Sequence, residues 1–325
     1  MSYIDMHCDT LMQYVVNSEK NSLYQNDLQV DFTKLKAGKA LAQFFAIFMV
    51  GEDFYKYKNI QKISDEEYFE RLYNGFVNEI DIHAEIIKFA KNATDYNDNK
   101  KDGIISAFLT IEDGKIVDGN IQNLNKLHDK GVRLISLTWN YENCFGFPNS
   151  RDSIMMNKGL KKFGIEAIEK MNDLGIIVDV SHLSDGGFWD VVKYSKKPFV
   201  ASHSNCREIT NHTRNLTDEM IRALAEQGGV AGINFCPNFL ADLTSEPVVS
   251  TIESIIEHIK HFINVGGIEC VGIGSDFDGI GGKLEISNAS DMPILIERME
   301  VKGFSPSQID KIMYENVERI ILGIY

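Results

Sequence analysis

The sequence predicts an α/β protein, and within that class a (β/α)8 (TIM) barrel formed by a single domain that spans residues 1–325. Eight short apolar runs alternate with amphipathic helical patterns, and no Pro-, Gly- or Ser-rich linker divides them. Each run is apolar at nearly every position, which is typical of parallel strands buried on both faces. Closing eight such strands into a barrel is the simplest arrangement. Barrels of this kind have about 250 residues, so we also expect inserted βα loops.

The eight apolar runs give the predicted strands in chain order. They are Tyr3–Cys8, Ala40–Met49, Ile104–Thr110, Val132–Thr138, Ile176–Val180, Phe199–Ser202, Val230–Asn234 and Val271–Ser275. The connections after the first two strands are long, and we expect part of the inserted sequence there, around Asn17–Asp31 and Gly51–Glu67.

Helices are predicted between the strands from apolar positions three and four residues apart. Such a pattern runs from Leu160 to Met171 and ends at Gly175, just before the fifth predicted strand. The last helix is predicted to begin at Ser305, because Pro306 suits the first helical position and Gln308 completes a capping box.

The charge balance argues against two classes of partner. Lys and Arg number 33 and Asp and Glu number 47, which gives a formal net charge of −14. An acidic surface of this size repels phosphate backbones and anionic lipids. We therefore expect neither nucleic acid nor a membrane among the partners.

Cysteine usage and hydropathy predict a cytoplasmic protein. The five cysteines are odd in number, widely spaced and without a CxxC pair, which fits neither a disulfide framework nor a thiolate zinc site. No secretory signal pattern precedes Ile4. The most apolar stretch, Ala40–Val50, is about half a membrane span and contains Gln43.

Side chains that can bind metals follow the predicted strands at their carboxyl ends, where barrel enzymes place their active sites. They are His7 and Asp9 at the first strand, Glu112 after the third, His182 after the fifth, His203 after the sixth, and Asp276 and Asp278 after the eighth. The two-residue period of a strand puts His7 and Asp9 on one face, with Asp5 one layer below. Spacing alone does not choose between Asp276 and Asp278.

Each of these residues alone has an ordinary structural explanation, such as helix capping by His182 or a turn stabilised by Asp276 and Asp278. Their convergence from five strands indicates more, because unpaired carboxylates would repel each other there and cations remove that repulsion. Imidazole and carboxylate ligands without thiolate predict zinc first, with manganese, iron, cobalt or nickel as alternatives. The ligands exceed what one ion needs, which predicts two ions bridged by Glu112 and a hydroxide.

Six ordered motifs resemble the membrane (renal) dipeptidase family of zinc metallopeptidases, a branch of the amidohydrolase-like, metallo-dependent hydrolase barrels. The motifs are Ile4–Thr10, Ile111–Gly114, Gly131–Leu134, Asp179–His182, Ala201–Ser204 with Arg214-Asn215 downstream, and Gly272–Gly279. The resemblance covers essentially the whole chain.

The resemblance implies a role for each matching residue. It makes His7 and Asp9 ligands of a first zinc ion, His182 and His203 ligands of a second, and Glu112 the bridging, catalytic carboxylate. It also makes Asp276, rather than Asp278, the catalytic acid/base. Arg214 is then the substrate-binding residue that holds the substrate carboxylate, a role that suits the guanidinium fork.

Trp139 departs from the family pattern, because the family often has a histidine there that is thought to polarise the scissile carbonyl. The Trp139 indole can donate one hydrogen bond but carries no charge, so it is either a substrate-binding residue or a bulky wall of the pocket. Overall, the resemblance implies a binuclear zinc dipeptidase that hydrolyses dipeptides with a free C-terminal carboxylate, including those with a D-residue at that position.

Two other functions stay open. One is another hydrolase of the same superfamily, an N-acyl amino acid deacylase or a lactonase, although a substrate without a carboxylate would have no use for Arg214. The other is a metal-binding protein without turnover, although all the expected ligands and Asp276 are present. The expected partner is a small dipeptide substrate, and a homodimer is a further open alternative.

Overall fold

The computed structural model describes residues 1–16, 22–241 and 248–323, and its centre is a closed barrel of parallel strands. In chain order, the strands within those ranges are β1 Tyr3–Cys8, β2 Ala40–Phe48, β3 Ile87–Phe89, β4 Ile105–Glu112, β5 Val132–Ser136, β6 Ile177–Asp179, β7 Val200–Ala201, β8 Val230–Ile233, β9 Val249–Ser250, β10 Val271–Ile273 and β11 Lys283–Leu284.

The barrel closes because β1 pairs with β10 and β2 pairs with β4. In the part of the chain that the structure describes, eight strands follow one another around it in the order β1, β2, β4, β5, β6, β7, β8 and β10. Asp5 on β1 pairs with Ile273 on β10, which completes the ring. β3 pairs with the first half of β4 outside this ring, and β9 pairs with β11 in a separate small sheet.

All eight predicted strands are barrel strands, and the predicted fold class is confirmed. The bounds of β1 agree with the prediction, and each of the other predicted strands is one or two residues too long or too short at one or both ends. The sequence reasoning missed β3, β9 and β11, which have two or three residues each and no continuous apolar run. Part of the predicted insertion Asn17–Asp31, residues 17–21, lies outside the described residues.

Helices surround the barrel. They are α1 Gln13–Val16, α2 Phe32–Ala37, α3 Glu52–Lys58, α4 Asp65–Ile82, α5 Ala93–Asp102, α6 Gln122–Asp129, α7 Ser153–Met156, α8 Lys162–Leu174, α9 Asp185–Tyr194, α10 Asp218–Glu226, α11 Pro237–Leu240, α12 Ile252–Gly266, α13 Met292–Val301, α14 Pro306–Asp310 and α15 Asn316–Ile321, with a π-helical turn at Lys311–Glu315. None of the helices in the described ranges is long and apolar enough to cross a membrane.

Local sequence signals explain where two of these helices begin or end. Gly175 ends α8 with a φ of 73°, a left-handed conformation that costs little without a side chain. Ser305 and Gln308 form the predicted capping box at the start of α14. Every residue of β1 and β4 is buried, as expected for barrel strands covered on both faces.

Candidate metal centre

Side chains from five barrel strands meet at the carboxyl end of the barrel. His7 lies near the end of β1 and Asp9 directly after it, while Glu112 is the last residue of β4. The remaining members lie in the loops that follow β6, β7 and β10, and they are His182, His203 and Asp276. Each of the six residues has a relative exposure of 9% or less. The structure therefore brings together six of the seven residues that the sequence singled out as candidate ligands, and the exception is Asp278.

The potential ligand atoms form two overlapping groups that share one carboxylate. His7, Asp9 and Glu112 offer one set of atoms within 4.8 Å of one another. Glu112, His182 and His203 offer a second set within the same distance. Asp276 forms a further group of this kind with His7 and His203.

Glu112 presents one carboxylate oxygen to each side of this cluster. Its Oε2 lies 3.6 Å from Nε2 of His7. Its Oε1 lies 2.9 Å from Nε2 of His182 and 3.5 Å from Nε2 of His203. A carboxylate in this orientation can contact two cations at once.

Hydrogen bonds on the far side of two imidazole rings orient their Nε2 atoms toward the cluster. Nδ1 of His182 lies 3.2 Å from Oδ1 of Asn140, an acceptor, and this contact favours a proton on Nδ1. Nδ1 of His203 lies 2.7 Å from Oγ of Ser202. Neutral rings with a proton on Nδ1 have a free lone pair on Nε2, the form that binds a metal.

Several buried atoms of the cluster fit a divalent cation because protein groups leave them unsatisfied. Among the described residues, Nδ1 and Nε2 of His7 and Oδ1 of Asp9 have no hydrogen-bond partner. The two Nε2 atoms of His182 and His203 lie 3.1 Å apart. Nitrogen and carboxylate oxygen donors of this kind are the usual ligands of zinc and similar ions.

The electrostatics of the cluster favour added positive charge. Burial, with the nearby charge of Asp9, raises the pKa of Glu112 to about 8, and burial raises the pKa of Asp276 to about 7. Burial opposes the charged form of His7, yet the carboxylates of Asp9 and Glu112 raise the pKa of His7 well above its usual value. Without a cation, the cluster therefore retains protons at neutral pH.

Burial also lowers the pKa values of His182 and His203 well below the usual value for histidine. The charges of Arg214 and His7 act in the same direction on both rings. Both imidazoles are therefore neutral near pH 7, the protonation state in which histidine binds metals.

The structure separates Asp276 from Asp278. Oδ1 of Asp276 lies 3.8 Å from Nε2 of His7, and its Oδ2 accepts a hydrogen bond of 2.8 Å from Nδ2 of Asn234. The carboxylate of Asp278 is turned away, and it accepts hydrogen bonds from the backbone of Gln29, from the backbone of Val30 and from the hydroxyl of Thr10. Asp276 thus faces the cluster, whereas Asp278 stabilises the loop that contains Gln29 and Val30.

Arg214 is a buried cation beside the cluster, with an exposure of 6%. Its Nη2 lies 3.3 Å from the carbonyl oxygen of His203, and its Nη1 lies 3.5 Å from Oγ of Ser204. Its Nε has no hydrogen-bond partner among the described residues, and no carboxylate in those ranges lies within ion-pair distance. A guanidinium in this situation is available to an anionic ligand.

Trp139 lies beside His182, with 6.2 Å between the ring centroids. Its indole also packs against Phe48 and Tyr141, at centroid distances of 4.8 Å and 5.7 Å. These contacts make Trp139 part of an aromatic wall next to the cluster.

Sequence reasoning missed the neutral residues that support the cluster. Asn140 contacts His182, and Asn234 donates a hydrogen bond to Asp276. Asn140 lies two residues after the fourth predicted strand, and Asn234 is the last residue of the seventh. Gly279 leaves room for two carboxylates, because a Cβ atom there would lie 2.0 Å from Oδ2 of Asp9 and 2.7 Å from Oδ1 of Asp276. A search for polar as well as titratable residues at strand ends would have found the two asparagines.

A closed (β/α)8 barrel with histidines and carboxylates gathered at the carboxyl ends of its strands defines a metal-dependent hydrolase. The family model described as membrane dipeptidase (peptidase family M19) matches residues 1–324, and the chain belongs to that family. It is therefore a metal-dependent dipeptidase, a hydrolase that acts on peptide bonds. The resemblance seen in the sequence is confirmed.

Two relatives match much of the chain. A Schizosaccharomyces pombe protein described as an uncharacterized dipeptidase (C965.12) is 32% identical over 311 residues, which are 91% of this chain and 73% of that protein. A Klebsiella pneumoniae protein described as uncharacterized, in the pqqA 5′ region, is 32% identical over 245 residues, 74% of this chain and 89% of that protein.

Two solved structures share the fold. A metallo peptidase from Rhodobacter sphaeroides, liganded with a phosphinate mimic of the dipeptide L-Ala-D-Ala, has a TM-score of 0.90 and 24% identity, covering 100% of this chain and 99% of that one. The metallo peptidase described as dipeptidase AC has a TM-score of 0.89 and 24% identity, covering 99% of this chain and 98% of that one.

Proposed function

We propose that the chain is a binuclear zinc dipeptidase that hydrolyses dipeptides with a free C-terminal carboxylate. The orientation of Glu112 carries this proposal, because its two oxygens face two separate sets of ligand atoms. In this scheme His7 and Asp9 hold one ion, His182 and His203 hold the other, and Glu112 joins them. Bound ions of this kind lower the pKa of a water molecule toward 7 and polarise the scissile carbonyl.

Asp276 is the proposed acid/base residue. Asn234 occupies its Oδ2, so Oδ1, which faces His7, is the oxygen that takes a proton from the attacking water. The same oxygen then delivers that proton to the leaving amine, the usual general acid/base sequence.

Arg214 is the proposed receptor for the substrate carboxylate. It is buried, positively charged and without an ion-pair partner in the described ranges, and it lies next to His203. A dipeptide bound there has its peptide bond close to the cluster, because its carboxylate lies only a few bonds from the scissile carbonyl. Trp139 then forms a wall of the substrate pocket beside His182.

Acceptance of a D-residue at the C-terminal position is part of the proposal. Its support is the Rhodobacter sphaeroides structure, which holds a mimic of L-Ala-D-Ala in a barrel of the same fold.

We further propose that residues 1–325 act as one domain and that the protein works in the cytoplasm. All five cysteines lie within the described residues and none forms a disulfide, as expected for a reducing compartment.

A hydrolysis screen tests the function. The protein, reconstituted with Zn²⁺, is assayed on matched L,L and L,D dipeptides, on an N-acyl amino acid and on a lactone. Turnover of dipeptides supports the proposal, and turnover of L,D as well as L,L dipeptides supports its D-residue part. Turnover confined to the N-acyl amino acid or the lactone would contradict it.

A further inference from the structure

Two buried serines make the same pair of hydrogen bonds to two buried aspartates beneath the metal centre. The backbone N–H and Oγ of Ser202 donate to Oδ1 and Oδ2 of Asp179, at 2.8 Å and 2.6 Å. The same two groups of Ser275 donate to Oδ1 and Oδ2 of Asp5, at the same two distances. All four residues are completely buried.

The two serines differ in what else their hydroxyl oxygens contact. Oγ of Ser202 lies 2.7 Å from Nδ1 of His203. Oγ of Ser275 instead accepts a hydrogen bond from the backbone N–H of Phe277, and its other close neighbour is the carbonyl oxygen of His7, at 3.4 Å. One serine is therefore connected to an imidazole ring, and the other is connected to the backbone.

The partners of Asp179 fix the direction of the hydrogen bonds. Its Oδ2 also accepts from the hydroxyl of Ser136, and its Oδ1 also accepts from the backbone N–H of Ser181. Ser202 has a single hydroxyl proton, which it donates to Asp179. Its oxygen must then accept a proton from His203, so Nδ1 of that ring carries the hydrogen.

We propose that Asp179 and Ser202 form a relay that fixes the tautomer of His203 and thereby sets the metal affinity of the His182/His203 position. The inference rests on the proposed function, in which Nε2 of His203 is a ligand. A hydrogen bond from Nδ1–H toward a carboxylate orients an imidazole and makes its other nitrogen a stronger donor. Ser202 and Asp179 are positioning residues, since they act through His203.

Within the described residues, the other two imidazoles of the cluster, His7 and His182, lack such a carboxylate-linked relay at Nδ1. Nδ1 of His182 meets the neutral amide of Asn140, and Nδ1 of His7 has no hydrogen-bond partner within the described ranges. Loss of the relay should therefore affect one metal position and not the other.

Ser202→Ala and Ser275→Ala form a matched pair of variants, because each removes a buried hydroxyl bonded to an aspartate. Chelated protein is titrated with Zn²⁺ against a competing chelator. We expect Ser202→Ala to weaken one of the two binding steps by roughly 10- to 100-fold, whereas Ser275→Ala leaves both steps close to wild type. Thermal unfolding of the chelated variants shows whether either change disturbs the fold.

Nitrogen-15 NMR of the histidine rings gives a readout that does not depend on metal affinity. In chelated wild-type protein, His203 should show the Nδ1–H tautomer, and in Ser202→Ala it should shift toward a mixture of tautomers. Asp179→Asn should produce the same shift if Ser202→Ala is poorly folded. An Nε2–H tautomer in the wild type, or equal losses of zinc affinity in both serine variants, would overturn the relay.

The same experiments distinguish failure of the relay from failure of the proposed function. If wild-type protein binds fewer than two ions or hydrolyses no dipeptide, the binuclear dipeptidase proposal fails. The tautomer comparison still decides the relay in that case, because it is made on chelated protein. If two ions bind and Ser202→Ala keeps both affinities and the wild-type tautomer, the relay fails while the proposed function stands.

Discussion

Nε2 of His182 lies 3.1 Å from Nε2 of His203, close enough for the two nitrogens to share one cation. The contacts of Nδ1 with Asn140 and Ser202 favour a proton on Nδ1 of each ring, and with that tautomer two Nε2 lone pairs face each other at this distance. Oε1 of Glu112 lies beside them and adds negative charge. Without a cation, these groups repel each other unless the cluster holds protons in its place.

Glu112→Gln should lower the metal content by at least one divalent ion per chain. The amide keeps the shape of the side chain, but its NH2 group cannot bind a metal, so one side of the cluster loses its shared ligand. Elemental analysis of protein purified without chelator should find close to two divalent ions per wild-type chain and about one or fewer in the variant. Two tightly held ions in Glu112→Gln would contradict the bridging role.

Asp276→Asn should lower turnover, whereas Asp278→Asn should lower stability. If Asp276 moves the proton, its asparagine variant keeps both ions while kcat falls by roughly 10²- to 10⁴-fold. Asp278 holds Thr10 and the backbone of Gln29. Its variant should therefore lose stability, by about 1 to 3 kcal/mol, with a smaller loss of turnover. Measurements of kcat, metal content and thermal unfolding on the same samples separate the two. Near-normal turnover in Asp276→Asn with a large loss in Asp278→Asn would contradict the assignment.

Arg214→Ala should weaken the use of dipeptides with a free C-terminus. Loss of a buried partner for the substrate carboxylate should lower kcat/KM by an amount equivalent to about 2 to 5 kcal/mol. Amidation of the dipeptide should cause a comparable loss in the wild type and little further loss in the variant. Arg214→Lys is the control, because it keeps the charge without the bidentate fork. Equal wild-type rates on free and amidated dipeptides would contradict the role of Arg214 as the receptor for the substrate carboxylate.

Gly279→Ala should disrupt the centre without changing any ligand. The added Cβ would lie 2.0 Å from Oδ2 of Asp9, so that carboxylate has to move. We expect a loss of zinc affinity on the order of 10-fold or more. Gly281→Ala is a close control, since a Cβ at that position meets nothing within 4 Å. Similar zinc affinities in the two variants would show that the position of Asp9 does not depend on Gly279.

The sequence predicts the barrel strands and the charged members of the site because both follow simple periodic rules. The apolar run of β1 ends at Cys8, so His7 and Asp9 must lie at the carboxyl end of that strand. The alternation of side chains holds only within a strand. β10 ends at Ile273, and both Asp276 and Asp278 have φ values above 60°, so strand alternation no longer describes where their side chains point. Only the folded loop shows that they face different neighbours.

Supporting residues are harder to predict because their value depends on three-dimensional contacts. Ser202 and Ser275 occur in similar local sequences after a strand, yet one contacts an imidazole and the other contacts the backbone. β3 is missed for a different reason, since its three residues, with Lys88 in the middle, are too few to establish an apolar run or an alternating pattern.

The chelated protein should become less stable as the pH rises from about 7 to 8. Glu112, Asp276 and His7 all bind a proton more tightly in the folded protein than in the unfolded chain, because their folded pKa values are raised. The folded state therefore carries more protons in this range, and the free energy of unfolding falls as protons are lost. The pKa values of His182 and His203 are lowered, so both rings are neutral in either state above about pH 7 and contribute little.

Thermal unfolding of chelated protein at the two pH values, with and without added Zn²⁺, measures this effect. We expect a loss of roughly 1 to 3 kcal/mol between pH 7 and pH 8 without metal. With Zn²⁺, the cation replaces the protons, and ligand deprotonation then favours binding, so the trend should disappear or reverse. Chelated Glu112→Gln is the control, because its amide does not titrate and the slope should be shallower. A chelated wild-type protein that is equally stable at both pH values would show that these buried groups do not retain protons as a cluster.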